Sequence, residues 1–341
     1  MQERDLSTNA ETTSPTVSLM SVFMVTAIAA AENRKVVTID ITGAYLNGDI
    51  SQKSIYMHLD PKMAAIICHS DPSYIKYLKS NGTITVRLLK ALYGYIESAK
   101  IWFETLSTFL IGFGFRPNPF DKCVLNMMQN RHQITVMIYV DDLYISSVSG
   151  VLIRHVIDRI KAKFLTITVK DGPRQSYLGM NFDFSMKGEV SVTMEGYTDD
   201  VLEYAKTSGV ALTPAGNSLF DIDSSTIPLD RAESEQFHSI VAKLLYLAKR
   251  TRPDILLPIA FLATRVQAST MTDWNKLQRV LKYLNGTKSL GIRFKPGPSL
   301  AITISVDASF GFHKDGKSHG CSVIAVGGPV QVCSYKETIV T

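Results

Sequence analysis

Two adjacent carboxylates, Asp141 and Asp142, lie in the middle of an otherwise apolar stretch. They join two apolar runs within residues 133–147, a pattern typical of a β-hairpin whose turn carries the acids. Adjacent carboxylates repel each other and lose hydration when they are partly buried, so a fold rarely retains them without a counter-ion. A polar surface turn is the alternative, but apolar residues flank the pair directly. We therefore predict that this pair helps to bind a cation.

A second carboxylate, Asp40, ends the apolar run of residues 36–40. Two strand-end carboxylate sites are what two-metal phosphoryl transfer requires, and Mg²⁺ prefers such hard oxygen ligands together with substrate phosphates. In that site Asp40 and Asp141 would bridge two Mg²⁺ ions (or Mn²⁺), Asp142 would ligate or tune them, and the Ile41 carbonyl would add a ligand. Taken alone, Asp40 fits a strand-end turn equally well. The combination predicts a polymerase palm.

The periodicity of apolar residues predicts the elements that must position these acids. The spacing predicts helices over residues 17–31, 98–112 and 153–164, and strands over residues 35–40, 55–59, 83–89, 177–183 and 189–194. Together with the acidic hairpin, this order predicts an α+β fold, with an antiparallel sheet and helices on one of its faces.

The second half of the chain is basic. Residues 212–228, rich in Asp, Ser and Pro, predict a linker, and apolar stripes predict helices between residues 234 and 286. Residues 240–295 hold eleven Lys and Arg against the two acids Asp254 and Asp273, in a chain whose net charge is +5. This charge favours a phosphate-backbone partner, although solvated helix faces would produce the same pattern.

Three strands are predicted near the end of the sequence, over residues 301–307, 320–326 and 330–335. Three strands alone bury little apolar surface, so we expect them to be the beginning of a further domain.

The composition is that of a globular protein, with 45% hydrophobic and 20% charged residues among 341. The uncharged segment 17–31 is too short for a membrane span and follows an acidic start, so it predicts a core helix rather than a signal peptide. The four cysteines show no metal-binding spacing and fit a reducing compartment. P-loop chemistry is disfavoured because no GxxxxGK[ST] run exists.

Several motifs occur in the order found in one known family. They are Thr12-Thr-Ser-Pro-Thr-Val17, Asp40-Ile-Thr-Gly-Ala-Tyr-Leu-Asn-Gly48, Ile55-Tyr-Met57, Leu92-Tyr-Gly94 with Trp102, Tyr139-Val-Asp-Asp142, Tyr177-Leu-Gly179 and Thr251-Arg-Pro-Asp254. In these motifs the sequence resembles the copia-type (Pseudoviridae-like) retrotransposon reverse transcriptase. Residues 305–309 and 327–329 resemble the start of the ribonuclease H domain that follows it.

The resemblance implies three units. Residues 1–211 would form the fingers and palm without the N-terminal fingers hairpin, residues 212–295 the linker and a basic helical thumb or connection, and residues 296–341 a fragment of a ribonuclease H-like domain. It implies an RNA-directed DNA polymerase that uses deoxynucleoside triphosphates and an RNA or DNA template–primer duplex. We expect no membrane partner, and a cytoplasmic (virus-like particle) or nuclear location rather than secretion.

The resemblance also implies roles for individual residues. Asp40, Asp141 and Asp142 would be the polymerase metal triad, and Asp307 the first metal carboxylate of the ribonuclease H site. Tyr45 would lie under the sugar of the nucleotide and select against a 2′-hydroxyl. The remaining assignments are Tyr93 and Gly94 to the nucleotide pocket, Leu178 and Gly179 to the primer end, and Lys243, Lys249, Arg250, Arg252, Arg265, Lys276 and Arg279 to nucleic-acid phosphates.

The sequence departs from the family pattern in three places. The fingers hairpin that supplies cations to the triphosphate is expected before the first residue, and only Arg34 and Lys35 precede the Asp40 strand. Residues 95–99 replace the usual Gln-Ala-Pro run, and the other ribonuclease H carboxylates are expected beyond Thr341. A catalytically inactive nucleic-acid-binding remnant is therefore the main alternative to an active polymerase. A template-independent nucleotidyl transferase is a third hypothesis.

Overall fold

The computed structural model describes residues 13–223, 225–297, 299–311, 313 and 315–337. The helices are α1 (Leu19–Ala31), α2 (Pro61–Ser70), α3 (Ser98–Gly112), α4 (Gly150–Phe164), α5 (Glu195–Tyr204), α6 (Arg231–Ala248), α7 (Leu256–Ala263) and α8 (Met271–Gly286). The strands are β1 (Lys35–Ile41), β2 (Tyr56–Leu59), β3 (Ile84–Arg87), β4 (Arg116–Pro117), β5 (Val124–Gln129), β6 (His132–Tyr139), β7 (Asp142–Ser147), β8 (Ile167–Asp171), β9 (Arg174–Tyr177), β10 (Met180–Asp183), β11 (Val190–Thr193), β12 (Ile292–Phe294), β13 (Thr303–Ser309), β14 (His319–Ala325) and β15 (Pro329–Lys336).

The main sheet has the strand order β4-β5-β6-β7-β1-β8, and its neighbouring strands are antiparallel. Strands β6 and β7 with the turn between them form the predicted hairpin, which we call the acidic hairpin. The separated strand β1 inserts beside β7, with Ile39 opposite Leu143. The predicted α+β fold with an antiparallel sheet is confirmed.

Helix α1 begins after Ser18, whose hydroxyl accepts a hydrogen bond from the Ser21 amide. Most of its residues are buried, including Val22 and Phe23, so its apolar character on all sides reflects a position inside the core. The predicted core helix is confirmed. Within the described ranges, no helix combines the length and the apolar character that crossing a bilayer requires.

The segment 177–183, predicted as one strand, is two strands joined by a turn. Strand β9 ends at Tyr177 and β10 begins at Met180, and these two residues face each other. Leu178 and Gly179 between them have φ of 53° and 74°, the conformation of a type I′ hairpin turn. We call these two residues the tip turn. The prediction of one strand was wrong because the apolar Leu178 gives no turn signal, although the buried positions change from odd-numbered in β9 to even-numbered in β10.

The second sheet, of order β12-β11-β10-β9, connects the two halves of the chain. Its edge strand β12 follows helices α6 to α8, which we call the helical unit, and pairs with β11, Phe294 facing Val190. A continuous buried cluster extends from Val17 to Val330. The helical unit therefore shares a core with the main sheet.

Strands β13, β14 and β15 form a third sheet. It is attached through Gly327, whose carbonyl accepts a hydrogen bond of 2.8 Å from the Lys295 amide. A Cβ at Gly327 would come within 2.2 Å of the Pro296 backbone, and its φ is 66°. Only glycine allows this close approach of the two chain segments.

Candidate active site at the acidic hairpin

The fold places the two strands that carry the predicted acids side by side. Asp40 lies directly opposite Asp142 in the pairing of β1 with β7, and the Ile41 amide donates a 3.0 Å hydrogen bond to the Asp141 carbonyl. This bond makes Asp40 and Asp142 a non-hydrogen-bonded pair, a geometry with a Cα separation of about 4.5 Å and with both side chains on the same face. Asp141 precedes Asp142 in the turn. Strand pairing, and not sequence proximity, therefore forms this group of acids.

The turn of the acidic hairpin is strained and externally supported. Val140 has a φ of 55°, whereas Asp141 has a negative φ, so the two residues form a type II′ turn with a β-branched residue in a disfavoured conformation. The Trp102 indole Nε1 donates a 2.6 Å hydrogen bond to the Val140 carbonyl. Trp102 is 1% exposed and packs edge-on against Phe164 at 5.2 Å. The buried end of α3 thus holds the turn that carries Asp141.

The acids repel one another electrostatically. Burial raises the pKa of the half-buried Asp142 carboxyl, and the charges of Asp141 and Asp40 raise it further. Lys170 on β8 acts in the opposite direction but is the smallest of these influences. The arrangement therefore destabilises the folded protein while no cation is bound.

We expect Asp142→Asn to raise the melting temperature in the presence of a chelator by about 1–2 °C, because it removes this repulsion. The gain is small because solvent screens a half-exposed group. The gain should shrink as the pH falls, since the carboxyl then becomes protonated in both folded and unfolded chains. Thermal unfolding followed by circular dichroism measures the change, with the exposed Asp158→Asn on α4 as control. A lower melting temperature for Asp142→Asn would contradict the electrostatic explanation.

Two tyrosine rings lie beside the acids. Tyr45 belongs to a 3₁₀ turn just after β1, and its ring centroid is 4.4 Å from that of Tyr93. Burial raises the pKa of both phenols, and the charge of Asp141 raises each further. Gly94, which follows Tyr93, has a φ of 95°, so this bend in the chain favours glycine. The rings thus form one wall of the site.

The donor chemistry of the acids fits Mg²⁺, since all the side chains offer hard oxygens. Asp40 is exposed, and Asp141 and Asp142 are half-buried, so incoming phosphates can reach them. Among the described residues, no three His, Cys, Asp or Glu side chains already converge as a cation site. Mg²⁺ sites commonly take one or two carboxylates and complete their coordination with substrate phosphates.

The two predicted cations near the start of β1, Arg34 and Lys35, bind neighbouring side chains rather than facing the acids. Arg34 is 6% exposed and donates hydrogen bonds to Glu32, Thr135 and Gln133. Lys35 forms a 2.8 Å ion pair with Asp171. Both lie at the end of β1 remote from Asp40, roughly 17 Å away at ~3.3 Å per residue. Neither is available to a triphosphate at the acids.

The seven predicted phosphate-binding cations of the helical unit fall into two groups. Arg252 is a correction: it is 1% exposed, paired with Asp254 at 2.8 Å and bonded to Thr287, so it serves as a structural residue. Three others are held by neighbours within residues 213–273: Arg265 by Asp273, Lys276 by the Asp221 carbonyl and Arg279 by Thr213. Lys243, Lys249 and Arg250, near the C-terminal end of α6, remain candidates.

The tip turn lies against the helical unit. The Tyr246 hydroxyl of α6 is 3.5 Å from the position that a Cβ on Gly179 would take. Asp307 belongs to a different region, since it lies on the exposed strand β13 opposite Cys321. The structure therefore brings Leu178 and Gly179 to the C-terminal end of α6. Asp307 lies apart from them, on the third sheet.

Sequence reasoning missed one residue at this site, Lys170, and one contact, the hydrogen bond from Trp102 to Val140. Lys170 lies on β8, which is mostly exposed and therefore carried only a weak strand signal. The support that Trp102 gives to Val140 had no local signal, because 38 positions separate the two residues.

Comparison with known proteins identifies similar sequences. The family described as reverse transcriptase (RNA-dependent DNA polymerase) matches residues 2–214. The retrovirus-related Pol polyproteins from transposons RE2 and RE1 of Arabidopsis thaliana are 28% and 27% identical, covering 88% and 90% of this chain. The chain spans only 19% and 20% of those two proteins. The putative transposon Ty5-1 protein of Saccharomyces cerevisiae is 26% identical over 87% of this chain and 92% of its own length.

Proposed function

Because the chain belongs to the reverse transcriptase family, we propose that it is the RNA-directed DNA polymerase core of a copia-type retrotransposon polyprotein. The family match confirms the resemblance found in the polymerase motifs. Family membership implies a template–primer duplex and deoxynucleoside triphosphates as binding partners. The proposed reaction joins a deoxynucleotide to the 3′-hydroxyl of a primer and releases pyrophosphate.

The observation that supports this proposal is the placement of Asp40 opposite Asp142 with Asp141 in the adjoining turn. These carboxylates would hold two Mg²⁺ ions, with the Ile41 carbonyl as a further ligand. Bound Mg²⁺ would stabilise both the attacking and the leaving oxygen. The protein contributes rigidity, since strand pairing fixes two of the acids and Trp102 restrains the turn that carries the third.

The contacting, mutually tilted rings of Tyr45 and Tyr93 support a nucleotide pocket beside Asp141. In this pocket the Tyr45 ring would lie under the sugar and collide with a 2′-hydroxyl. The backbone at Gly94 would let the chain turn closely around the base pair.

We expect Tyr45→Ala to increase incorporation of ribonucleotides relative to deoxynucleotides by at least about tenfold, because removing the ring leaves room for the 2′-hydroxyl. The ratio of kcat/KM for UTP and dTTP on a poly(rA) template measures this selectivity. Tyr335→Ala, at a half-exposed position of β15, is the control and should leave the ratio unchanged. Equal ratios for Tyr45→Ala and the unchanged protein would exclude a steric role for Tyr45.

Extension of oligo(dT) on poly(rA) and of oligo(dG) on poly(rC) in Mg²⁺ tests the proposed reaction. An active polymerase incorporates dTTP only on the first template and dGTP only on the second. Incorporation that ignores the template would indicate a template-independent nucleotidyl transferase instead.

An inactive nucleic-acid-binding remnant is the second candidate, and the positions of Arg34 and Lys35 favour it. Both cations are engaged away from the acids, so no triphosphate clamp comes from them. Loss of such a clamp removes stabilisation of the leaving group, which is worth orders of magnitude in rate. Duplex binding without extension on either template would support this candidate.

We also propose that residues 296–341 are the beginning of a ribonuclease H-like domain, with Asp307 as its first metal carboxylate. The third sheet of β13, β14 and β15 supports this assignment, because its order is a simple antiparallel meander. Residues 1–211 and 212–295 are assigned in the same way to fingers and palm and to the thumb or connection.

A further inference from the structure

Arg250, just beyond the C-terminal end of α6, has an unusual environment for a cation. Its guanidinium carbon lies 3.4 Å from the centroid of the Tyr246 ring, and Nη1 donates to the Tyr246 carbonyl at 3.4 Å. Among the described residues, its buried Nε has no hydrogen-bond partner. Burial lowers the pKa of Arg250, and the neighbouring phenols that oppose this effect are Tyr246, Tyr139 and Tyr197. An arginine nevertheless stays charged at neutral pH.

The surroundings of Arg250 connect two parts of the proposed active site. The Tyr246 hydroxyl lies beside Gly179 of the tip turn, 3.5 Å from the position of a Cβ there. The Tyr139 phenol, which is near enough to influence the pKa of Arg250, ends β6 and faces Asp142 across the acidic hairpin. Arg250 therefore neighbours the tip turn through Tyr246 and the end of the acidic hairpin through Tyr139. A primer whose 3′-hydroxyl reaches the acids would carry its last phosphodiesters into this region.

A half-buried cation without a carboxylate partner is costly unless an anion completes it. Arg252 illustrates the other solution, since Asp254 neutralises its buried guanidinium at 2.8 Å. Arg250 has its planar face covered by the Tyr246 ring and, among the described residues, forms no ion pair, so its terminal N–H groups are the donors that it can offer to a phosphate. Lys249 next to it is exposed and offers only a mobile point charge.

We propose that Arg250, stacked on Tyr246, binds one phosphodiester of the primer strand close to its 3′ end. This inference rests on the proposed function, because it requires a primer terminus at the acids. It distinguishes Arg250 from the two neighbouring lysines: Arg250 recognises one particular linkage, whereas Lys243 and Lys249 attract the duplex without regard to register.

A duplex with a single neutral linkage tests this proposal. One methylphosphonate is placed at each of the last four primer linkages in turn, and the Kd for the full chain is measured by fluorescence anisotropy with a chelator present. For the unchanged protein we expect a loss of about tenfold at one linkage. Arg250→Gln should lose about tenfold with the unmodified duplex and nothing further at that linkage.

The salt dependence provides a second readout that a purely structural role would not change. The slope of log Kd against log salt concentration should fall by about 0.9 in Arg250→Gln, the value for one phosphate contact. Arg231→Gln is the matched control, because Arg231 is 94% exposed, pairs with Glu235 and lies at the other end of α6, about 27 Å away. It should alter neither the slope nor the effect of any neutral linkage.

Arg250→Lys is a second variant in case Arg250→Gln does not fold. It keeps the positive charge and removes the planar guanidinium. It should bind the unmodified duplex with intermediate affinity and remain sensitive to the same linkage. The proposal would be overturned if each neutral linkage weakened binding by the same factor in Arg250→Gln as in the unchanged protein. Absence of duplex binding by the unchanged protein would overturn it as well. Competition by millimolar inorganic phosphate as strong as that by the duplex would also overturn it, because the site would then bind a free anion. Binding without extension would refute the polymerase activity but leave this test valid.

Discussion

Asp141→Asn is expected to reduce template-directed incorporation by about a thousandfold or more while leaving the Kd for a primer–template duplex within about twofold. Asp141 would bridge two divalent ions, so its loss removes stabilisation of the attacking and the leaving oxygen together. The amide is isosteric with the carboxylate, and the turn remains restrained by the bond from Trp102 to Val140. Single-turnover extension of oligo(dT) on poly(rA) measures the change in rate.

Asp158→Asn provides the matched control, since Asp158 is an exposed carboxylate on α4. It should extend the primer at the unchanged rate. Retention of more than a tenth of the activity by Asp141→Asn would remove the catalytic assignment from the acidic hairpin. Loss of duplex binding in the same variant would show that Asp141 acts on the fold or on nucleic-acid binding instead.

Replacement of Trp102 is expected to have the largest effect on stability among the residues near the site. Trp102→Ala should lower the free energy of unfolding by about 3–5 kcal/mol, because it empties a fully buried aromatic position. Trp102→Phe keeps most of the apolar volume and deletes the indole N–H, leaving the Val140 carbonyl without that donor. We expect a loss of about 1–2 kcal/mol. Urea unfolding followed by circular dichroism measures both.

Trp102→Phe should also slow incorporation by about tenfold at temperatures where the protein remains folded. The disfavoured φ of Val140 persists only while its surroundings hold it, and the bond from Trp102 is one of these restraints. Trp274→Phe on α8 is the control, since the Trp274 ring packs 6.5 Å from Phe237 within the helical unit. Equal rates for both variants would mean that the indole contributes packing and does not position Asp141.

The continuous core suggests how nucleic-acid binding and the acids are connected. Strand β12 joins the end of the helical unit to the sheet of the tip turn, and Arg250 is stacked on Tyr246, whose hydroxyl lies beside that turn. A primer held at Arg250 would therefore be located relative to Asp141 through packed, hydrogen-bonded elements. We therefore expect the primer end to be positioned precisely and the helical unit to move little relative to the main sheet.

Much of this organisation could be predicted from local patterns. Helices α1, α3 and α4, the strand before Asp40 and the acidic hairpin all follow from the spacing of apolar residues, because each depends on burial of one face of a single element. The types of the three acids indicated divalent-cation chemistry for the same local reason, since adjacent carboxylates are unfavourable without a cation.

Other elements had weak local signals. Strand β8 is mostly exposed, so burial left little periodicity in its sequence, yet it supplies Lys170 near Asp142. The tip turn interrupts what reads as a single strand, because the apolar Leu178 gives no turn signal.

Only the tertiary structure decided which residues act together. The sequence contains Asp40 and Asp142 a hundred positions apart, and their meeting depends on the insertion of β1 beside β7 in one register. Sequence also makes Arg250 and Arg252 equivalent cations, whereas the fold pairs the buried Arg252 with Asp254 and, among the described residues, gives Arg250 no carboxylate partner. Local patterns record which face of each element is buried, but pairing and ion contacts arise between distant segments and are fixed only when the shared core forms.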